Sequence, residues 1–572
     1  MNDYSKVIMQ NKKNGMRYPH ILLEDDKVIK LSESTEEDGS KSYRKTVICR
    51  SIRIIEIKSD IYTKDKMCVL EYVDDSGKTD TKEVFRNIIS DSKKVVELSR
   101  YGLDITSENA ADVIRHFRNE TSRAKSTEVV TKAGILPWKE QFMFVGEQCF
   151  YKDKESEKFK RSRLKYEGKL DIRKSGTYET YKAMLDTEVI PSVHLSTALV
   201  IGASSLLVGY IGGDVNIPNI LAHLSGDSST GKSTALQLAV SIYGGIGCSN
   251  GKTSLFASWN STDNALQEMM AGNNGIAIGL DELGMKQTKN FASMIYRLAE
   301  GKEKQRMKFG EGNQEVREWH TTIISTGELP MEDDTDQATG QKVRLLYFES
   351  IPWTDNAGHS ERIKNVLLYH YGLLGERLAK KLLSHPKEFW VEKHAKEIPL
   401  ITGKLDCGKL NNRIANSLAI IMVSAKMLYW SGIQIDLNAI RDFLIATANA
   451  TRGAASSIGE RAYEKFKAEI NSNQNNIELR KRNGSVLRGV PCGELWGTAL
   501  PKDDNSSMSD WEYVNVPTST VDAFLKENGF HNPTVIYNEW AKKGYILLAG
   551  KKLYHKIKIG NINNMKCMRF LL

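Results

Sequence analysis

The sequence predicts an α/β protein: a central nucleotide-binding sheet, a mixed α+β region before it, and a winged-helix domain after it. Three observations favour this fold. A glycine-rich loop joins an apolar strand to a helix near residue 226, strands alternate with helical segments from Ile220 to about Glu349, and the pattern from about Ser360 to Ile470 is almost wholly helical. We expect three domains, comprising residues 1–180, 181–470 and 471–572.

Length and composition are those of a globular protein with several cores. The chain has 572 residues, of which 40% are hydrophobic and 26% charged, so it is neither low-complexity nor grossly disordered. The net charge of +9 is concentrated near the C-terminus, since residues 541–572 contain eight Lys or Arg and no Asp or Glu. This imbalance indicates a polyanionic partner.

The N-terminal region alternates apolar and polar residues. Thr46–Ile57 and Met67–Val73 are predicted strands, the polar segment Ser32–Ser40 a loop, and Asn109–Asn119 an amphipathic helix. Residues 151–174 carry ten Lys or Arg against five Asp or Glu. That segment is predicted to be a solvated loop, and a DNA-facing loop is the alternative.

Cysteine usage and apolar runs favour a cytoplasmic protein without a membrane partner. The seven cysteines form no CxxC motif and are expected to be reduced structural thiols. The first residues contain no apolar run, so no signal peptide is expected. Val189–Gly213 has no charged residue and is long enough to span a bilayer, but its Ser, Thr, Gly and His content favours a buried core helix.

The central loop matches the phosphate-binding pattern GxxxxGK[ST] without a mismatch. It follows the apolar strand Ile220–Ser225 and precedes a helix from Thr234 to Tyr243. Its backbone N–H groups are expected to face phosphate oxygens, with Lys232 at the β- and γ-phosphates and the Ser233 hydroxyl on Mg²⁺. The predicted nucleotide-binding residues here are Gly226, Asp227, Ser228, Ser229, Thr230, Gly231, Lys232, Ser233 and Thr234.

A second part of this site is predicted 49 positions after Lys232. The buried strand Gly275–Leu280 ends in Asp281 and Glu282. Asp281 suits Mg²⁺ binding and Glu282 suits polarising the attacking water. ATP hydrolysis with Mg²⁺ is therefore the expected chemistry.

A third strand, His320–Thr326, ends in two hydroxyl residues. In ATPases with an extra central strand, a polar residue at this point senses the γ-phosphate and orients the water. Ser325 and Thr326 are both candidates, and a strand end capped by hydroxyls is the alternative explanation for each.

Two arginines could complete the site. Arg344 opens an apolar strand and is predicted to be an arginine finger for a neighbouring subunit, with a salt bridge to the acidic loop 332–336 as the alternative. Arg413 opens the helix Ile414–Trp430 and could contact phosphate within its own chain, or be an ordinary residue of a helix start.

The order of these motifs resembles the AAA+ superfamily, a P-loop ATPase core with a helical lid. Several strings are similar to the minichromosome-maintenance-like (MCM-like) helicases of bacterial mobile elements, notably those of staphylococcal cassette chromosomes. They are Gly226–Ser233, Trp259–Thr262, Leu280–Leu283, Tyr296–Arg306, Ser325–Glu328 and Gly340–Arg344. The resemblance implies an ATP-driven hexameric ring that unwinds DNA to replicate the element, with an element-encoded primase or polymerase as a partner.

A hairpin is predicted between the second and third strands, with arms Gln305–Phe309 and Gln314–Trp319 around Gly310–Asn313. In the helicases that this chain resembles, a hairpin here enters the pore and grips single-stranded DNA. The candidate DNA-binding residues alternate along one face and are Lys302, Lys304, Arg306 and Lys308. A surface hairpin of balanced charge is the alternative, because four glutamates accompany them.

The C-terminus is predicted to fold as a winged helix that binds duplex DNA. Ser519–Asn528 and Pro533–Lys543 are predicted helices, and Tyr545–Leu548 and Leu553–Ile559 a hairpin whose tip carries Lys551 and Lys552. A wing that contacts protein is the alternative.

Two functions fit all of these motifs: a DNA helicase, and an ATP-gated initiator or loader that does not unwind processively. A metabolic P-loop kinase is disfavoured by the lid and the late arginine.

Overall fold

The structure, a computed structural model, describes most of the chain. The described residues are 4, 8–9, 13, 20–35, 37, 41–247, 251–283, 291–303, 307–308, 312–313, 317–328, 345–406, 411–450, 458–490, 495–502, 511–528, 530, 533–550, 552–560 and 562–571. Two compact units result: Met1–Ala133 with Val145–Lys169, and Gly134–Phe144 with Leu170–Leu572.

The first part of the chain is built mainly of strands. In order they are β1 (His20–Glu24), β2 (Lys27–Thr35), β3 (Lys41–Arg50), β4 (Ile52–Asp60), β5 (Lys66–Val73), β6 (Thr79–Phe85), helices α1 (Ser92–Val96) and α2 (Ala110–Glu120), then β7 (Lys125–Val130), β8 (Ala133–Trp138), β9 (Gln141–Val145), β10 (Cys149–Lys152), β11 (Phe159–Arg161) and β12 (Lys165–Tyr166). Strands β1-β2-β3 form one sheet and β12-β7-β4-β5-β6 another. Apolar residues of these strands and of α2 form the core of the first unit.

Three local predictions in this region need correction. The predicted strand Thr46–Ile57 is two strands, because β3 ends at Arg50 and β4 begins at Ile52. Part of the segment 32–40, expected as a loop, extends β2, because its backbone pairs with β3 at Glu33↔Tyr43 and Ser34↔Ser42. The basic segment 151–174 contains the short strands β11 and β12, although all three residues of β11 are exposed.

The second unit contains a five-stranded parallel sheet. Its elements are α3 (Tyr178–Met184), α4 (Val193–Ile211), β13 (Ile220–Ser225), α5 (Lys232–Val240), β14 (Phe256–Ser258), α6 (Asp263–Met270), β15 (Asn273–Asn274), β16 (Ile278–Asp281), α7 (Phe291–Glu300), β17 (Met307–Lys308), β18 (Gly312–Asn313), β19 (Thr322–Gly327) and β20 (Leu345–Glu349). The strand order is β14-β16-β19-β13-β20, and every adjacent pair is parallel. The carboxyl ends of these strands therefore share one edge, and β19 lies between β13 and β16.

Helix α4 forms the centre of this unit. It is the one described helix that is long and apolar enough to cross a bilayer, but 89% of its apolar window is buried inside the protein. Its serines are satisfied internally: Ser204 bonds Thr322, and Ser205 donates to the Tyr243 hydroxyl. The prediction of a buried core helix is confirmed.

A helical region follows the sheet. It comprises α8 (Ala357–Leu367), α9 (Gly375–Leu383), α10 (Lys387–Thr402), α11 (Asn411–Trp430) and α12 (Leu437–Ala450). The fully buried Glu397 of α10 forms ion pairs with Lys426 of α11 and, at 3.3 Å, with Arg441 of α12. A buried carboxylate needs such partners, so this triad holds the three helices together.

The C-terminal part has a core of its own. Its elements are α13 (Ile458–Ser472), β21 (Ile477–Arg480), β22 (Val486–Arg488), β23 (Gly497–Pro501), β24 (Trp511–Pro517), α14 (Thr518–Glu527), α15 (Pro533–Lys543), β25 (Ile546–Leu547), β26 (His555–Ile559) and β27 (Ile562–Phe570). Phe466 and Ile470 of α13 pack in the same cluster as Trp540 and Phe570. The polar segment 471–476 therefore lies inside this domain, between α13 and β21, and not before it.

Both predicted helices of this domain are present as α14 and α15, but the predicted hairpin forms only at its tip, where Ala549 and Lys552 make an isolated antiparallel bridge. Strands β25 and β26 do not pair along their length, because both pair with β27, at Ile546↔Phe570 and His555↔Cys567. Strand β27 also pairs with β24, and its local sequence pattern does not encode which of these three strands it pairs with. The wing is instead the β26–β27 hairpin.

The cysteines follow the expectation where the structure describes them. Cys49, Cys68, Cys149 and Cys567 are free and buried. Burial raises the pKa of the Cys49 and Cys149 thiols to about 12, so they stay protonated at neutral pH.

Candidate active site

The glycine-rich loop joins the carboxyl end of β13 to the start of α5. Gly231 caps the helix with a left-handed backbone (φ 84°), and a Cβ at this position would lie 2.4 Å from the Thr354 hydroxyl oxygen. Lys232 donates hydrogen bonds to the carbonyls of Gly226 (2.8 Å) and Asp227 (2.5 Å). The Lys232 ammonium group is therefore held against the loop, close to the N-terminus of α5. Loops of this kind bind phosphate at that helix N-terminus.

The predicted acidic pair lies beside this loop, at the end of β16. The carboxylate of Asp281 accepts a hydrogen bond from the Ser233 hydroxyl at 3.1 Å. A hydroxyl and a carboxylate that meet next to a phosphate loop are oxygen ligands of the kind that Mg²⁺ prefers, so these residues fit the ion. Glu282 is exposed and has φ 63°, an uncommon backbone conformation for a residue with a side chain.

The two hydroxyl residues at the end of β19 face opposite sides of the strand. Thr326 donates to Asp281, and its oxygen accepts the backbone N–H of Glu282 at 3.2 Å. Ser325 points away from the acidic pair: its oxygen accepts the indole N–H of Trp259 at 2.8 Å and bonds His223 Nδ1 at 3.0 Å. Because successive strand residues alternate, Thr326 faces Asp281 and Glu282 and Ser325 does not.

Further side chains at the loop escaped the sequence prediction. Glu328 accepts a hydrogen bond from the Ser228 hydroxyl at 2.5 Å. The Thr234 hydroxyl donates to the Ser360 hydroxyl, which is also hydrogen-bonded to the Thr354 hydroxyl. Polar residues that follow β20 therefore contact the start of α5. Thr354 and Ser360 could have been predicted from their position after β20, because the carboxyl end of that parallel strand lies at the same sheet edge as the phosphate loop.

The part of the chain that the structure describes does not bring either predicted arginine, Arg344 or Arg413, to this site. Arg344 lies outside the described residues. Arg413 is exposed in the first turn of α11, and among the described residues no hydrogen bond or ion pair engages its side chain.

The hairpin after α7 is present in its backbone. Met307 pairs with Asn313 and Lys308 with Gly312, so the second arm begins two residues earlier than predicted. At its base, Lys302 forms an ion pair with Glu318 at 3.0 Å. Lys304 and Arg306 lie outside the described residues, as does the side chain of Lys308.

In the C-terminal domain, Lys552 is exposed in a tight turn, where Ala549 and Lys552 exchange backbone hydrogen bonds; Lys551 lies outside the described residues. The wing carries three further exposed lysines that were not among the predicted DNA-binding residues: Lys556, Lys558 and Lys566. Lys556 stands directly opposite Lys566 across the two strands. Like charges in that arrangement repel unless an anion lies between them.

Two family models match the chain. One is described as a domain of unknown function (DUF927) and matches residues 22–318, just over half of the sequence. The other is described as the Cch helix turn helix domain and matches residues 457–571, which include α13. No curated protein matches.

Among solved structures, the chain is similar to one described as the SCCmec type IV Cch active helicase. The two share 22% identity over 97% of this chain and 98% of the other, with a TM-score of 0.65. This confirms, at the level of the fold, the resemblance to staphylococcal cassette helicases. A JCV helicase structure matches at 11% identity over 51% of this chain and 71% of the other, but its TM-score is only 0.18.

Proposed function

The chain belongs to the DUF927 family, and we propose that it is an ATP-dependent DNA helicase with an AAA+ motor core. One observation carries the proposal. Lys232 and Ser233, the pair Asp281–Glu282, and Thr326 meet at one edge of a parallel sheet in which β19 lies between β13 and β16. This combination supports nucleotide hydrolysis, since it joins a phosphate cradle to a carboxylate and a sensor.

Each residue has a distinct part in the reaction. The Lys232 ammonium exchanges the loop carbonyls for β- and γ-phosphate oxygens, and Ser233 and Asp281 would hold Mg²⁺, which neutralises phosphate charge when bound. Glu282 accepts a hydrogen bond from the attacking water and directs it at the γ-phosphorus. The water oxygen bonds phosphorus, the bond to the β–γ bridging oxygen breaks, and ADP, phosphate and a proton are released.

Thr326 is the proposed sensor. Its hydroxyl is hydrogen-bonded to both the Asp281 carboxylate and the Glu282 backbone N–H. A movement of either acidic residue during hydrolysis would therefore displace the end of β19. Ser325 has a supporting role, because its hydroxyl is engaged by Trp259 and His223.

The motor is proposed to act as a hexameric ring with Arg344 as a finger. The next residue, Leu345, begins β20 at the amino edge of the sheet, whereas the phosphate loop lies at the carboxyl edge. A strand of five residues is about 16 Å long, so a side chain at its start suits a neighbour's site better than its own. Arg413 is proposed to reach phosphate from the lid.

DNA is the proposed substrate of the motor. Lys302, Lys304, Arg306 and Lys308 are proposed to contact single-stranded DNA in the pore. Duplex DNA is assigned to the C-terminal domain, whose opposed Lys556 and Lys566 would gain from a phosphate between them. The solved structure of similar fold is described as an active helicase, which supports unwinding as the activity. Replication of a mobile element in the cytoplasm, with an element-encoded primase or polymerase as partner, completes the proposal.

A strand-displacement assay tests the proposal. Wild-type protein should release the labelled strand of a tailed duplex with ATP but not with a non-hydrolysable analogue, and Lys232→Ala should release none. DNA-stimulated ATP hydrolysis without any strand release would instead favour an ATP-gated initiator or loader. The ion pair that Lys302 makes with Glu318 favours that second candidate, because it lowers the free positive charge at the hairpin base.

A further inference from the structure

Trp259, which the proposed function leaves without a role, contacts both catalytic strands. Its backbone N–H donates to the carbonyl of Asp281 at 3.0 Å, and its buried indole N–H donates to Ser325 at 2.8 Å. The backbone of Trp259 is therefore hydrogen-bonded to the end of β16, and its side chain to the end of β19. Any movement of those strand ends reaches the loop that begins at Trp259.

That loop leads directly into helix α6. The Thr262 hydroxyl caps the helix by accepting the backbone N–H of Ala265 at 3.2 Å. A capped helix of eight residues is a stiff element about 12 Å long. Its first residue, Asp263, forms an ion pair at 3.2 Å with Arg297 of α7, the helix that enters the hairpin.

The other end of α6 is attached to the base of the hairpin. Glu268 forms an ion pair with Arg317, and the backbone N–H of Gly272 donates to the carbonyl of Glu318 at 3.0 Å. Arg317 in turn bonds the opposite arm, because its backbone carbonyl accepts the N–H of Glu303 at 3.0 Å. A displacement of α6 is thus transmitted to both arms.

From these contacts we propose that α6 is the coupling element between ATP hydrolysis and the DNA hairpin, with Trp259 at its catalytic end and the Glu268–Arg317 pair at its hairpin end. This inference rests on the proposed function, because it explains how DNA bound at the hairpin would regulate hydrolysis at the same ATP site. Glu268 and Arg317 are positioning residues, because their ion pairs join α6 to the hairpin base and not to the phosphate loop or the acidic pair.

A charge-swap experiment on the full-length chain tests the coupling. Basal ATPase and its stimulation by single-stranded DNA are measured for Glu268→Arg, Arg317→Glu and the double swap. Both partners are partly exposed (38% and 40%), so basal kcat and the KM for ATP should stay near wild type. Each single reversal should lower the DNA stimulation about threefold or more, and the double swap should restore most of it.

Glu392→Arg is the matched control, because Glu392 pairs with Lys396 on the exposed face of α10 and should keep full stimulation. Wild-type stimulation in both single variants would overturn the coupling while leaving the helicase proposal intact. Arg317 also lies 3.7 Å from the Glu303 carboxylate, so the double swap is made together with Glu303→Gln, and loss in the singles without rescue in that background would also overturn the coupling. A wild-type protein whose ATPase ignores DNA would overturn both proposals.

Discussion

The nucleotide-binding sheet and the C-terminal domain place their charged residues in different ways. At the sheet, strand ends bring Lys232, Asp281, Glu282 and Thr326 to one edge. Each of them makes a specific hydrogen bond there, which for Glu282 is made by its backbone N–H. In the C-terminal domain, lysines follow one another along the exposed wing. The first arrangement fixes distances between groups, whereas the second only raises the density of charge.

This difference predicts different responses to substitution. The proposed ATP hydrolysis needs every one of these groups in its place, so removal of one group should lower the rate by orders of magnitude. Binding through many phosphate contacts is closer to additive, so removal of one lysine should cost little.

The largest effect is expected at the phosphate loop. Lys232→Ala should abolish detectable ATP binding and hydrolysis, because the ammonium that neutralises phosphate charge is lost. Equilibrium binding of a fluorescent ATP analogue provides the measurement, with Lys552→Ala as a control that should bind normally. Near-normal affinity of Lys232→Ala would remove this residue from the site.

A smaller effect should separate the two neighbours on β19. Thr326→Ala should lower kcat for ATP about 10- to 100-fold with little change in KM, because it unlinks Asp281 from Glu282. Ser325→Ala should instead lower the free energy of unfolding by about 1–3 kcal/mol, since the buried Trp259 N–H loses its acceptor. Steady-state kinetics and thermal unfolding of both variants decide between them, and the reverse assignment of effects would contradict the geometry.

The smallest effect per residue is expected on the wing. Replacing Lys556, Lys558 and Lys566 by Ala should weaken duplex binding and reduce the salt dependence of log Kd by up to about 2.7, or ~0.9 per phosphate contact. A triple variant with the same loss of charge in and just after α10, at Lys393, Lys396 and Lys404, should keep the wild-type slope. Equal slopes for all three proteins would mean that the wing faces protein or solvent.

Much of the active edge could be predicted because its signals are local. The loop, the strand ending in Asp281 and the hydroxyl-ended strand each combine an apolar run with a polar end, and parallel pairing then brings those ends together. Sequence alone left Ser325 and Thr326 equivalent, because either could face the acids until the register of β19 with β13 and β16 was known.

The C-terminal domain was less predictable because its sheet depends on distant pairing. The two helices followed from periodicity, but β27 takes β24, β25 and β26 as neighbours, and no local pattern encodes that choice. Helix α13 shows the same limit: its apolar face fits any core, and only the packing of Phe466 against Trp540 and Phe570 assigns it to this domain.

The central claim, that this sheet edge hydrolyses ATP, is tested most directly by Glu282→Gln. The amide keeps the size of the side chain but cannot accept a proton from water, so the variant should bind ATP with wild-type affinity and hydrolyse it about 10³-fold more slowly. Binding and single-turnover hydrolysis measured on the same preparation give both quantities. Hydrolysis at the wild-type rate would contradict the assignment of Glu282 and, with it, the proposed catalytic geometry.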